Sequence, residues 1–149
     1  MSGTWSAGGN LATARAYLAG CGTQTAGLSI GGDTAPKNQT EEYDGSSWSS
    51  GGNLGTGRGQ LAGCGTQTAG LSFGGAVSPY TKTEEYDGSS WSSGGNLGTG
   101  RYNLAGCGTQ TAGLSFGGHV VPRTQTEEYD GSSWSSGGDS ITAWQALIS

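Results

Sequence analysis

Four of the five tryptophans, Trp5, Trp48, Trp91 and Trp134, stand 43 residues apart. Arg15, Arg58 and Arg101 keep the same step, and so do Cys21, Cys64 and Cys107, and Tyr43, Tyr86 and Tyr129. The stretch TEEYDGSSWSSGGNLGTGR fills 40–58 and again 83–101, and no insertion or deletion interrupts the array. A fixed interval of this length implies one supersecondary unit per repeat, each burying its apolar face on its neighbours. A chain of 149 residues holds three such units within one domain of ordinary size.

Glycine supplies 32 residues and charged residues only 11% of the chain. That composition fits low complexity or many tight turns. Disorder requires few aromatics and high net charge, whereas five Trp and six Tyr recur here at regular places. The net charge of −5 argues against nucleic acid or an anionic membrane as partner, since both select a basic face. No apolar run approaches the ~20 residues that span a bilayer. MSGTWSAGG lacks the basic and apolar regions of a signal peptide. The expectation is a cytoplasmic or virion-associated protein.

Each repeat predicts four short strands. In the second, Gln60 to Gly65 forms a small-residue strand and Thr66-Gln67 turns. Thr68 to Phe73 follows and stops at Gly74-Gly75. After a seven-residue loop, Thr83 to Tyr86 ends at Asp87-Gly88, a strong hairpin signal, and Ser90 to Ser93 carries Trp91. Helical periodicity is nowhere sustained. Four antiparallel strands in a repeat of this length make the blade of a β-propeller.

The order GG…EEYDG..W, followed by Arg, resembles the kelch repeat over about 134 of the 149 residues, although 43 is shorter than the usual length of about 50. The clean Gly-Thr-Ser-rich form also resembles repeat arrays of phage and environmental bacterial proteins. The kelch resemblance implies a ring of typically six or seven blades, with the first strand of each lining a central channel. It also implies structural roles. Tyr43, Tyr86 and Tyr129 would stack with Trp48, Trp91 and Trp134 between blades. Arg15, Arg58 and Arg101 would pair with a Glu of a nearby blade. The predicted units are an extra outer strand with the approach to blade 1 (1–15), blades at 16–52, 59–95 and 102–138, and an apolar tail (139–149).

Three blades leave two apolar faces bare. At roughly 500 Å² each, covering a face is worth on the order of 12 kcal/mol before association costs. Two copies would complete six blades with twofold symmetry. The expected architecture is therefore an all-β propeller of four-stranded antiparallel kelch-like blades, three per chain, closed into a six-bladed ring by homodimerisation. Thr4 to Leu11 repeats the outer strand and competes with Ser132 to Ser136 for one place. The tail ITAWQALIS is expected to pack on the ring as a strand or a short helix.

Catalytic signals are sparse. The cysteines are single and equivalent, without the close spacing of a zinc site, and are expected as buried free thiols. His119 is the only histidine. Galactose oxidase, which has a kelch-type propeller, holds copper with two His, two Tyr and a Cys-Tyr crosslink, a set that one His per chain cannot supply. The pairs Glu41-Glu42, Glu84-Glu85 and Glu127-Glu128 point to opposite faces of a strand. One of each is expected to pair with Arg and the other to be solvated. No cofactor and no metal are expected, and the chain reads as a non-enzyme.

The repeats differ in a patterned way. Residues 48–90 and 91–133 match at 37 of 43 positions. The differences lie at Gly59-Gln60 against Tyr102-Asn103, with Ala16-Tyr17 in the first repeat, and in AVSPYTK (76–82) against HVVPRTQ (119–125), with DTAPKNQ (33–39) in the first. In a four-stranded blade both places lie on one side of the disc. Varied loops on a uniform scaffold predict a recognition surface, built from Tyr17, Lys37, Gln60, Tyr80, Tyr102, Asn103, His119 and Arg123 and suited to a glycan or protein ligand. A purely structural ring in a larger particle such as a phage virion, and an enzyme acting at the channel mouth, are the alternatives.

Overall fold

The computed structural model describes residues 3–35, 37–119 and 123–140. Among them there are twelve strands and no helix. The first sheet comprises β1 (Ala19–Thr23), β2 (Ala26–Ile30), β3 (Thr40–Tyr43) and β4 (Trp48–Ser50). The second comprises β5 (Ala62–Thr66), β6 (Ala69–Phe73), β7 (Thr83–Tyr86) and β8 (Trp91–Ser93). The third comprises β9 (Ala105–Thr109), β10 (Ala112–Phe116), β11 (Thr126–Tyr129) and β12 (Trp134–Ser136). Each sheet is antiparallel in simple chain order. Strand β5 lies between β1 and β9, so the first strands form the inner row of the array. Three repeated four-stranded antiparallel sheets in this arrangement are internal repeats of a β-propeller-like kind.

Local chemistry explains the strand ends. Gly74 and Gly75 take φ of 66° and 105°, a region that favours glycine, and Gly74 N–H donates to Lys82 O at 2.9 Å. At the outer hairpin, Asp87 Oδ1 accepts the backbone N–H groups of Ser89 and Ser90, both at 2.8 Å, and so replaces the missing ladder partners of the turn. The inner strand departs from expectation. It starts at Ala62 rather than Gln60, because Gln60 is left-handed at φ 57°, and its turn is Gln67-Thr68 rather than Thr66-Gln67.

The cores lie between sheets. Leu28 and Ile30 of β2 meet Leu54, Leu61 and Tyr86. One repeat later, Leu71 and Phe73 of β6 meet Leu97 and Tyr129. Leu71 and Phe73 are 0% exposed. The segment after each outer strand is the wedge of the junction. Leu54 N–H donates to Asn38 O at 2.8 Å, Gly55 N–H reaches Glu84 Oε2 of the next sheet at 2.6 Å, and Arg58 pairs with Glu84 Oε1 at 2.5 Å. Arg58 also donates to Gly74 O and Ser72 Oγ, both at 2.8 Å. Arg101–Glu127 and Arg15–Glu41 repeat the pair, each guanidinium at 0% side-chain exposure.

The second glutamate of each pair is not simply solvated. Glu42 accepts from the Tyr86 hydroxyl of the next sheet, and Glu85 from that of Tyr129. Burial first, then this hydrogen bond, pushes both phenols up to about 12. Glu128, with no sheet beyond it among the described residues, is exposed. Trp48, Trp91 and Trp134 are partly rather than largely buried. Trp91 stacks on Tyr86 of its own sheet at 4.9 Å, while its Nε1–H crosses to Thr40 Oγ1 at 3.0 Å. Only Cys64 is a buried thiol; Cys21 is partly buried and Cys107 exposed, although all three are free. Identical segments therefore differ in burial according to whether a neighbour follows.

Residues 3–18 form no strand, and Trp5 is fully exposed. The outer place of the third sheet is taken by β12 of the same chain. The tail over 141–149 lies outside the described residues. No helix among the described residues is long and apolar enough to cross a membrane.

The Asp turns carry a pH prediction. Hydrogen bonds from Ser90 and Ser89 hold Asp87 down from the ordinary 3.8 to about 2, and those from Ser133 and Ser132 do the same for Asp130. A depressed folded value means that this stabilisation is complete above the unfolded pKa and is lost as pH falls through the folded one. Carboxyl NMR titrations of Asp87 and Asp130 should show midpoints near 2, with the turns loosening between about pH 4 and 2. Midpoints near 3.8 would show that the turns are open in solution.

Candidate recognition surface

The two variable places of each repeat are joined by backbone hydrogen bonds. Asp33 N–H donates to Ala16 O at 2.9 Å, Ala76 N–H to Gly59 O at 2.8 Å, and His119 N–H to Tyr102 O at 2.8 Å. A second row runs across the sheets. Gln60 N–H donates to Tyr17 O, and Asn103 N–H to Gln60 O, both at 2.8 Å. These links place the varied residues on one side of the array.

Tyr17, Gln60 and Asn103 are equivalent positions and are left-handed, with φ of 56°, 57° and 53°. Tyr80, in the second loop, is left-handed at φ 64°. Few non-glycine residues adopt this region, and such strain concentrates at functional places. Of these four residues, Gln60 and Asn103 are partly buried and the two tyrosines are exposed. Tyr17 is 50% exposed and Tyr80 41%.

Three aromatic rings converge at the junction of the second and third sheets. Tyr80 and Tyr102 have ring centroids 5.7 Å apart at 47°, and Tyr102 and His119 are 4.9 Å apart at 34°. His119 is exposed and Tyr102 partly buried beneath its neighbours. The cluster offers tilted apolar faces edged by two phenol hydroxyls and an imidazole, the combination that lets a small site bind both the flat and the hydroxylated parts of a ligand. The second repeat contributes Tyr80 and the third contributes Tyr102 and His119, so the cluster does not recur in the first repeat.

The other candidates stand differently. Gln60 is partly buried, and its Nε2 reaches Asp33 Oδ2 at 3.4 Å, which ties it to the first loop. Lys37 is exposed while its carbonyl accepts Arg58 N–H at 3.1 Å. Arg123 and Asn103 are partly buried. Tyr17 lies on the first repeat, apart from the aromatic trio in sequence and without a ring contact to it among the described residues.

The opposite side is structural. Gln67 Nε2 of the near-invariant TQT turn donates to Gly27 O at 3.1 Å and Tyr43 O at 2.8 Å of the preceding sheet. Gln110 repeats this on Gly70 O and Tyr86 O. Sequence reasoning assigned no role to these glutamines, although their recurrence as Gln24, Gln67 and Gln110 was the available signal.

Compared with known proteins, the chain matches no family model and no curated sequence. Its class therefore rests on the three repeated sheets, which define a β-propeller-like internal-repeat protein.

Proposed function

We propose that the chain is a non-catalytic recognition module that binds a glycan or protein surface through the varied side of a kelch-like propeller. The observation that carries this reading is the Tyr80–Tyr102–His119 cluster, assembled where the repeats differ. Tyrosine brings large contact area and a directional hydroxyl at little rotamer cost, which suits it to anchor a ligand. The stacked, hydroxyl-edged rings favour a sugar ring as the first ligand class to test. Two copies of the chain supply six blades in this reading, and a twofold ring would present the cluster twice, so that a repeated target gains avidity. A purely structural ring in a larger particle is the second reading, favoured by the partly exposed apolar residues Leu18, Leu114 and Phe116 on the two end sheets.

The test is a glycan array followed by calorimetry on the best ligand. Tyr80→Ala combined with Arg123→Ala, and separately Tyr102→Ala, should weaken binding at least about tenfold, a loss of roughly 1.4 kcal/mol, while the Tyr80 and Arg123 loop changes leave the melting temperature nearly unchanged. Binding that survives both variants, or that is lost instead on changing Thr66 and Thr68 of the opposite side, would refute the assignment.

A further inference from the structure

Each junction within the chain has a leading half, on the sheet that follows, and a trailing half, on the sheet that precedes. The trailing half of the second sheet is Leu71, Phe73, Thr83 and Glu85; the third sheet covers it with Tyr129 and Trp134. Phe73 meets the Trp134 ring at 4.9 Å, and Trp134 Nε1–H donates to Thr83 Oγ1 at 2.9 Å. The equivalent residues of the third sheet are Leu114, Phe116, Thr126 and Glu128, and they line an open groove of about 430 Å³. Leu114, Phe116 and Thr126 are partly exposed and Glu128 exposed, where their counterparts one sheet back are more deeply covered.

The matching leading half, at the other end, carries segment 8–11 against Tyr43, Ser46 and Ser47 but no preceding sheet among the described residues. Trp48 is the counterpart of Trp134, yet its Nε1–H donates only to Gly9 O, at 3.1 Å. Gln24 is the counterpart of Gln67 and Gln110 and is exposed. Leu18 corresponds to Leu61 and Leu104, which pack into the cores of the two inner junctions. The two ends of the chain thus hold the separate halves of an interface that the chain builds twice internally.

We infer that a second copy of this chain occupies the groove on the third sheet with the leading side of its first sheet, and that its segment 8–11 is the wedge of that junction. This rests on the six-bladed reading above and assigns its contacts. The wedge follows from one residue. At the inner junctions the wedge leucines Leu54 and Leu97 are buried. In the third sheet's own continuation this place is Ser140, whose N–H donates to Thr124 O at 2.9 Å as Leu97 N–H donates to Thr81 O. The serine cannot fill the apolar slot. The sequence GGNL of 51–54 and 94–97 recurs at 8–11, so Leu11 can. Leu11 is followed at the usual distance by Arg15, which is already paired with Glu41 of the first sheet. Segment 8–11 is therefore carried by the leading half and displaces 137–140 on joining.

The experiment is light scattering and sedimentation over a concentration series, with circular dichroism to confirm that each variant keeps its strands. The unaltered chain should approach twice its 14.8 kDa mass. Phe116→Arg, on the trailing half, and Leu18→Glu, on the leading half, should each give monomers alone. Mixed together they should restore a dimer, because one junction then pairs two unaltered halves. Leu11→Ser should weaken association at least about tenfold, while Ser140→Leu should leave it unchanged. A monomeric unaltered chain would overturn the ring itself. A dimer that survives Leu18→Glu would overturn this junction in favour of a symmetric contact between third sheets. Indifference to Leu11→Ser with tightening by Ser140→Leu would overturn the displaced wedge alone. Glycan binding at the aromatic cluster is a separate readout, so its failure is distinguishable from each of these.

Discussion

Arg58→Met is expected to destabilise the fold by about 3–5 kcal/mol, the loss typical of breaking a buried ion pair from one side. The guanidinium is wholly buried, and burial pulls its pKa down against the opposing pull of Glu84. It donates to Glu84, Gly74 O and Ser72 Oγ together, so one side chain joins the wedge, the end of β6 and the third strand of its sheet. Removing it leaves the Glu84 carboxylate buried, with only the Gly55 and Thr56 N–H groups to answer it. Replacing both partners, Arg58→Met with Glu84→Leu, should recover much of the loss, because no charge is then stranded. Urea unfolding of the two variants measures both effects. A single-variant loss below about 1 kcal/mol would place the pair in water.

Phe73→Ala should cost about 3–5 kcal/mol, the range for emptying a buried aromatic site. The same change at Phe116 should cost about 1 kcal/mol or less in the isolated chain. The two residues lie in identical AGLSF strands. The first is fully buried under the Trp134 ring and the apolar residues around it, whereas the second is partly exposed. Denaturation at high dilution gives the single-chain values, and equal losses there would contradict the partial exposure of Phe116. At concentrations where a second copy joins, the Phe116 loss should rise toward that of Phe73.

The repeat was legible as structure because each of its signals acts locally. Gly74-Gly75 stops a strand because two successive positive φ values, 66° and 105°, favour glycine and leave the extended region. Asp87 closes its own turn with hydrogen bonds two and three residues ahead. The pairing of each Arg with a Glu of the next sheet was also legible, because both recur at a constant offset. The left-handed backbone at Gln60 is not legible, because nothing in its residue type announces it. Nothing local marks the second glutamates as hydrogen-bonded, because their Tyr partners lie 44 residues away. The varied loops could be read as one side of the molecule, but not as an aromatic cluster. Tyr80 belongs to a different repeat from Tyr102 and His119, and only the approach of two sheets brings the rings together.

The sequence by itself determined the number of sheets, the strands within each, the turns and the partner of each buried arginine. Those depend on residue type and spacing, which every repeat shares. The tertiary structure decided what identical residues do. Leu71 is buried and Leu114 is not; Cys64 is buried and Cys107 exposed. Burial belongs to the junction and not to the strand, because an apolar face is removed from water only by the sheet that lies against it.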